Sequence, residues 1–253
     1  MDVILYDGSF EGLLTAVFEI YEYKIQHPVI YKNGVANGSL FGNSQEVQTN
    51  GIKSDRVYKK LADKLSKNSL RQLYPAFLSG LKDIENVLFR YIHFVLKSGA
   101  GVENDVSNPD VLMILQTSKK VAREKHRMEA FVRFQLTKDQ LYYSIIQPDF
   151  DVLPLICTHF KTRYADQRWL IYDALRKYGM YYDKEKVEEV TINFSPGINH
   201  NSIAKSWYDE EEDLYQNLWR HYFSIVNIAA RKNMKLHLQH MPRRYWKYLV
   251  EKQ

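Results

Sequence analysis

The sequence predicts an α+β protein with a helical N-terminal half, a central antiparallel sheet carrying a packed helix, and helices at the C-terminus. Three observations carry that prediction. Apolar residues recur at helical spacing through 55–98. Residues 126–183 instead hold short β-rich runs separated by polar breaks. A stretch over 209–229 then opens on acidic residues, which suit the positive end of a helix. Helices and strands that segregate along a chain, rather than alternating, point to α+β. At 253 residues the chain can bury a self-sufficient core. We divide it into a mainly helical region, 1–105, and an α+β region with basic C-terminal helices, 106–253, which could also form one compact unit.

Residues 2–5 suit a short strand or an extended lead-in. Ser9 is placed to N-cap a helix over 10–23, with Glu11 near its positive end and Leu13, Leu14, Val17, Phe18 and Tyr21 on one face. Residues 28–52 turn rich in glycine and asparagine. Residues 29–31 and 39–41 could pair there around Asn33-Gly34 or Asn37-Gly38. Three helices follow, marked by Val57, Leu61 and Leu65, by Leu70, Leu73, Phe77 and Leu78, and by Ile84, Leu88, Tyr91, Ile92 and Val95. Their breaks fall near Asn68 and Gly80. Ser98-Gly99-Ala100-Gly101 stops the third, and the segment to Asn108 is the best linker in the chain.

Pro109 opens a helix to about Arg127. Ala130, Val132 and Phe134 then alternate with Phe131, Arg133 and Gln135 in strand fashion, Lys138-Asp139 breaks the run, and 141–147 forms a second β-rich run. Together they predict an antiparallel hairpin. Pro154 suits the first turn of a helix through about Arg163. Further strands are predicted over 169–173, 179–183 and 187–194, the last ending at Ser195-Pro196-Gly197. A loop to about Tyr208, the long helix over 209–229 and a short helical segment over 242–249 complete the chain.

His126-Arg127-Met128 before Phe131-Val132-Arg133-Phe134, then Pro148-Asp149, His159-Phe160, Arg163-Tyr164 and 169–173 with Arg176, form a recognisable combination. Tyr6-Asp7-Gly8-Ser9-Phe10-Glu11-Gly12 and Met241-Pro242-Arg243-Arg244-Tyr245-Trp246 extend it over nearly the whole chain. The sequence resembles a bacterial family assigned to DNA metabolism or repair, of unknown mechanism. Its members are typically encoded beside a radical SAM protein thought to modify or repair DNA, and the same domain occurs fused to uracil-DNA glycosylase-like domains. The resemblance implies a DNA context and a radical SAM partner. It carries over no reaction and no catalytic residue.

Lys119, Lys120, Arg123, His126 and Arg127 share about a third of one helix circumference, and Arg163, Arg168 and Arg176 could gather beside them. Cations at a helix C-terminus also complement the macrodipole, which is the purely structural explanation. From Leu214 to Val250 no acidic residue occurs. That span holds Arg220, Arg231, Lys232, Lys235, Arg243, Arg244 and Lys247, with Trp219, Tyr222, Tyr245 and Trp246 interleaved. Arginines for phosphates and rings for bases are the ingredients of a single-strand groove; an amphipathic helix, or a dock for an acidic protein, uses the same residues. The 19 tyrosines suit half-buried packing as well as stacking.

Other signals lead less far. Residues 127–134 fit much of the RNA-recognition octamer, but Met128 stands for its glycine, Glu129 for a stacking aromatic, and a helix precedes it. A carboxylate–histidine site could draw on His126, Glu129 and Asp173, although Asp173 with Arg176 reads equally as an ion pair or turn. His237 and His240 have helical spacing with no carboxylate nearby in sequence, there are no cysteine clusters, and Gly8 to Gly12 lacks the Lys-Ser/Thr of a P-loop. No cofactor or metal is therefore expected. Cys157 sits in an apolar run and reads as a buried small hydrophobe. With no apolar run of membrane-spanning length, an N-terminus unlike a signal peptide and one cysteine, the expected setting is the cytoplasm.

The leading expectation is thus a DNA-binding accessory protein that presents DNA to a radical SAM enzyme. Phosphate contacts are expected from Lys119, Lys120, Arg123, Arg127, Arg163, Arg168, Arg176, Arg220, Arg243 and Arg244, and stacking from Trp219 and Trp246. The alternatives are an enzyme acting on nucleic acid or a nucleobase around His126, Glu129 and Asp173, and a protein-docking module without DNA affinity.

Overall fold

Capping and apolar spacing set the helices where the sequence places them. The computed structural model describes residues 2–34, 44–98, 101–191, 214, 216–221 and 234–252. The chain divides into two units, Met1–Ala122 and Arg123–Gln253, the division falling inside one long helix.

In the first unit β1 (Asp2–Tyr6) leads into α1 (Phe10–Glu22). Ser9 caps α1 as expected, its Oγ accepting from the Gly12 N–H at 2.9 Å. β2 (Pro28–Lys32) and β3 (Ser44–Glu46) both pair with β1 in parallel, giving the order β2-β1-β3. β2 returns across α1 to lie beside the apolar β1; the possible pairing of 29–31 with 39–41 falls on residues outside those described. Asn86 closes the outer edge of β2 like a strand. Its Oδ1 accepts from the Ile30 N–H at 2.8 Å and its Nδ2 donates to the Ile30 carbonyl at 3.1 Å. Helices α2 (Gly51–Lys64), α3 (Lys67–Leu78) and α4 (Ile84–Lys97) match the three apolar periodicities, and Leu61, Leu73, Leu88 and Ile92 are buried.

Helix α5 (Pro109–Phe131) runs from the first unit into the second. The expected strand over 130–135 is corrected here: α5 continues to Phe131, and the first strand of the second unit, β4, is only Gln135–Leu136. The physical reason is burial at helical spacing. Val121, Glu124, Met128 and Val132 are buried at intervals of three and four, which outweighs six residues of alternation.

The second unit carries β5 (Tyr142–Ile146), α6 (Leu153–Arg163), β6 (Trp169–Asp173), β7 (Tyr178–Tyr182) and β8 (Val187–Val190). The sheet runs β4-β5-β6-β7-β8. Every neighbouring pair is antiparallel except β5 and β6, which are parallel, so the central sheet is mixed rather than antiparallel. A connection long enough to contain α6 permits that crossover, where a tight hairpin would not. All five residues of β6 are buried, with Trp169, Ile171 and Tyr172 joined in the core by Ile156, Phe160 and Tyr182. At the C-terminus, residues 216–221 are helical, α7 spans Met234–His240, and 3-10 turns follow over Arg243–Tyr248 and Val250–Lys252. The expected loop to 208, the acidic helix start at 209–213 and the stretch 222–233 lie outside the described residues. No helix among the described residues is long and apolar enough to cross a membrane.

Candidate nucleic-acid interface

The short β4 leaves Phe134 at the mouth of the sheet, where it meets the end of α6. Its ring stands edge-on to Phe160 (5.6 Å, 88°), Tyr164 (5.4 Å, 79°) and Tyr142 (6.5 Å, 84°). Phe160 and Tyr164 lie nearly parallel, 9° apart. These rings form the floor of a cleft of about 780 Å³, whose other sides come from Glu129, Arg133, Arg163, Gln167 and Trp219.

Arg133 and Trp219 are held by one buried carboxylate. Glu251, its side chain 1% exposed, accepts from Arg133 at 2.8 Å and from the Trp219 indole N–H at 3.0 Å. Arg133 also donates to the Ala130 and Val132 carbonyls at 2.7 and 3.2 Å, and its guanidinium lies 5.4 Å from the Trp219 ring centre. Burial pushes the Glu251 carboxyl up, but the hydrogen bonds from Arg133 and Trp219 prevail and hold it below the usual carboxylate range. On the opposite side Glu129 is paired with Lys125 at 2.6 Å. Arg163 is exposed, 5.8 Å from the ring of its neighbour Tyr164, and meets no carboxylate among the described residues.

Several of the arginines expected on phosphates are committed within the fold. Glu124, its side chain 2% exposed, accepts from the Tyr245 hydroxyl and from the Asp149 N–H at 2.9 Å, and lies 3.6 Å from Arg127 and 3.4 Å from Arg244. Burial, and then the Glu124 carboxylate, push the Tyr245 hydroxyl well above its ordinary value. Arg244 also meets Asp149 at 2.7 Å, and Arg127 donates to the Gln239 carbonyl at 3.3 Å. Arg176 grips Asp173 at 2.7 Å and the carbonyls of Pro148 and Asp149. Arg168 donates to the Asp139 carbonyl at 2.6 Å, and Arg220 to the Val250 carbonyl at 3.3 Å and Asn217 at 3.0 Å. Arg243 is exposed, 5.9 Å from the Trp246 ring, whose own N–H bonds the Met241 carbonyl. Arg123 is exposed on α5; Lys119 and Lys120 are exposed on the part of α5 that belongs to the first unit.

The three residues considered for acid–base chemistry stand in different settings. His126 is 87% exposed, with Nδ1 3.9 Å from Glu129. Glu129 lines the cleft; His126 and Asp173 do not. Asp173 is fully buried at the β6–β7 turn, where it accepts from the N–H groups of Leu175 (2.8 Å) and Arg176 (3.1 Å) besides the Arg176 guanidinium. Cys157 donates to the Leu153 carbonyl at 3.0 Å, and burial pushes its thiol up to about 12, far from a reactive thiolate. Among the described residues no group of three His, Cys, Asp or Glu is arranged to hold a metal ion.

Sequence reasoning named Arg163 and Trp219 but missed Arg133, Phe134, Tyr142, Phe160 and Tyr164 as parts of one site. The available signal was the weight of tyrosine and phenylalanine between 131 and 164, of which the tyrosines suit half-buried packing as well as stacking. Glu251 could not be found by spacing, because it meets Arg133 from the far end of the chain.

No curated protein matches the chain. A family model described as a domain of unknown function, DUF4130, matches residues 82–251, a span that includes every side chain of the cleft together with Glu251. With two thirds of its length so matched, the chain belongs to the DUF4130 family.

Proposed function

We propose that this protein binds DNA as an accessory factor in DNA repair or modification and presents it to a partner enzyme, which the resemblance makes a radical SAM protein. The observation that supports the reading is the aromatic cleft of the second unit with Arg163, an arginine that meets no carboxylate among the described residues, at its side. Rings supply stacking for bases and the guanidinium supplies a phosphate contact, which together favour a nucleic-acid strand over a purely apolar ligand. The protein's own part is binding and positioning. Among the described residues Glu129 is the one carboxylate lining the cleft, and Lys125 pairs with it.

The test is fluorescence anisotropy of labelled single- and double-stranded DNA titrated with the full chain at low salt. Saturable binding supports the reading. Arg163→Glu with Arg243→Glu should weaken it at least tenfold while leaving the circular dichroism spectrum unchanged, because both side chains are exposed. The pair Arg243 and Arg244 is less suitable, since reversing Arg244 would also disturb Glu124 and Asp149. Absence of binding at low salt would refute the DNA role and leave a protein-docking module.

A further inference from the structure

We propose that the cleft of the second unit receives one unstacked base of a DNA strand, with Arg163 on the adjoining phosphate. This rests on the DNA-binding reading and specifies what that site holds.

Size, ring geometry and charge converge on that occupant. A cleft of about 780 Å³ falls within the range of small-ligand sites and accommodates a nucleotide. Its floor is a packed aromatic set, Phe134 edge-on to the parallel pair Phe160 and Tyr164, with Trp219 39% exposed at the side. A flat π-system stacks on such a surface whatever its sequence identity. A base can do so only after it leaves the duplex stack, because its faces are otherwise covered by its neighbours.

The charges in the cleft then leave room for one anion. Among the described residues, Glu129, Arg133 and Arg163 are the ionised ones lining it. Glu129 is matched by Lys125 at 2.6 Å and Arg133 by Glu251 at 2.8 Å. Arg163 has no matching carboxylate among the described residues, so among them one positive charge remains, the complement of one phosphodiester. Gln167, half-buried on the same wall, has a side-chain amide that bonds no other described residue. An amide offers a donor and an acceptor together, the chemistry that reads the edge of an unpaired base.

The rigid side of the cleft is prebuilt. Glu251 fixes both the Arg133 guanidinium and the Trp219 indole, so these groups need no ordering when a base arrives.

The experiment uses the full chain and 2-aminopurine placed in three oligonucleotides: a single strand, a duplex with the probe unpaired in a bulge, and a fully paired duplex. Free deoxyadenosine monophosphate serves as competitor. Tighter binding of the bulge and single strand than of the paired duplex, with a change in probe emission on binding, is expected. Tyr164→Ala should weaken bulge binding by about fivefold or more and reduce the emission change. Arg163→Gln, exposed and remote from the core, covers the case in which Tyr164→Ala fails to fold. It should lower the log–log salt slope by about 0.7 to 0.9. Equal binding of all three DNAs with unaltered emission would overturn the base site while leaving DNA binding intact. Binding of no DNA at low salt would overturn the DNA reading as well. Capture of the free monophosphate as tightly as the strand would make the cleft a mononucleotide site, and this too would overturn the proposal.

Discussion

Two buried carboxylates in the second unit answer to pH in opposite directions, and the difference lies in what meets them. Glu251 is desolvated, yet Arg133 and Trp219 more than compensate and its carboxyl is held low. A lowered folded value means a contribution fully present above the unfolded value and lost as pH falls through the folded one. Glu251→Gln should therefore destabilise the protein by about 1–3 kcal/mol at pH 7, leaving Arg133 without its counter-charge. The gap to wild type should narrow as the solution is acidified. Asp151 is the reverse case. Burial pushes its carboxyl up, against the hydrogen bond from the Tyr178 hydroxyl at 2.5 Å and the nearby Arg176. Its folded form holds the proton more tightly, so stability is lost as pH rises from the ordinary carboxylate value through the raised one. Asp151→Asn keeps an acceptor for Tyr178 and cannot ionise. Relative to wild type it should gain stability across that rise, and urea unfolding midpoints at several pH values check both signs. Parallel pH profiles for Asp151→Asn and wild type would show that the carboxylate is not penalised by its surroundings.

Elements show where local pattern decides and where it does not. Ser9, Pro109 and Pro154 marked helix starts correctly, because a cap or a missing N–H acts within one turn. Residues 130–135 misled because six alternating residues are compatible with a strand, while the neighbours that decide the matter, Met128 and Glu124, lie one and two turns back. Parallel pairing of β5 with β6 was equally illegible: the residues of a strand state its faces, not the direction of its neighbour. The junction of β1 and α1 offers an element-scale test. A Cβ on Gly12 would stand 2.2 Å from Asp7 Oδ1 and 2.9 Å from Thr49 Oγ1. Asp7 is itself fixed there, accepting from the Ser9 N–H at 2.9 Å, the Ser9 hydroxyl at 2.7 Å and the Thr49 hydroxyl at 2.7 Å. Gly12→Ala must open this knot and should cost about 1–3 kcal/mol, the usual range for overpacking. A thermal midpoint equal to that of wild type would mean that the junction yields freely.

At the scale of the molecule, charge was legible and its use was not. The run without acidic residues from Leu214 to Val250 suggested a broad basic surface, but Glu124, the carboxylate that answers Arg244 there, is distant in sequence; outside the run, Glu251 answers Arg133 from far along the chain and Asp173 answers Arg176 from three residues away. Of the second-unit cations proposed from sequence, Arg127, Arg176 and Arg244 face carboxylates, whereas Arg168 and Arg220 are spent on carbonyls. Arg163 and Arg243 are exposed and face neither among the described residues. A net charge of +5 is consistent with so much internal matching. The salt dependence of DNA binding measures the difference. Ten phosphate contacts would give a log–log slope near −7 to −9, at about 0.7 to 0.9 per contact. Without the three arginines on carboxylates and the two on carbonyls, five contacts would give roughly −3.5 to −4.5. The ion pairs described above predict the shallow slope, because an arginine already facing a buried carboxylate displaces no further counterion without breaking that pair. A slope steeper than about −6 would mean that Arg127, Arg176 and Arg244 leave their partners for phosphates, which requires the Glu124 and Asp173 clusters to open when DNA binds.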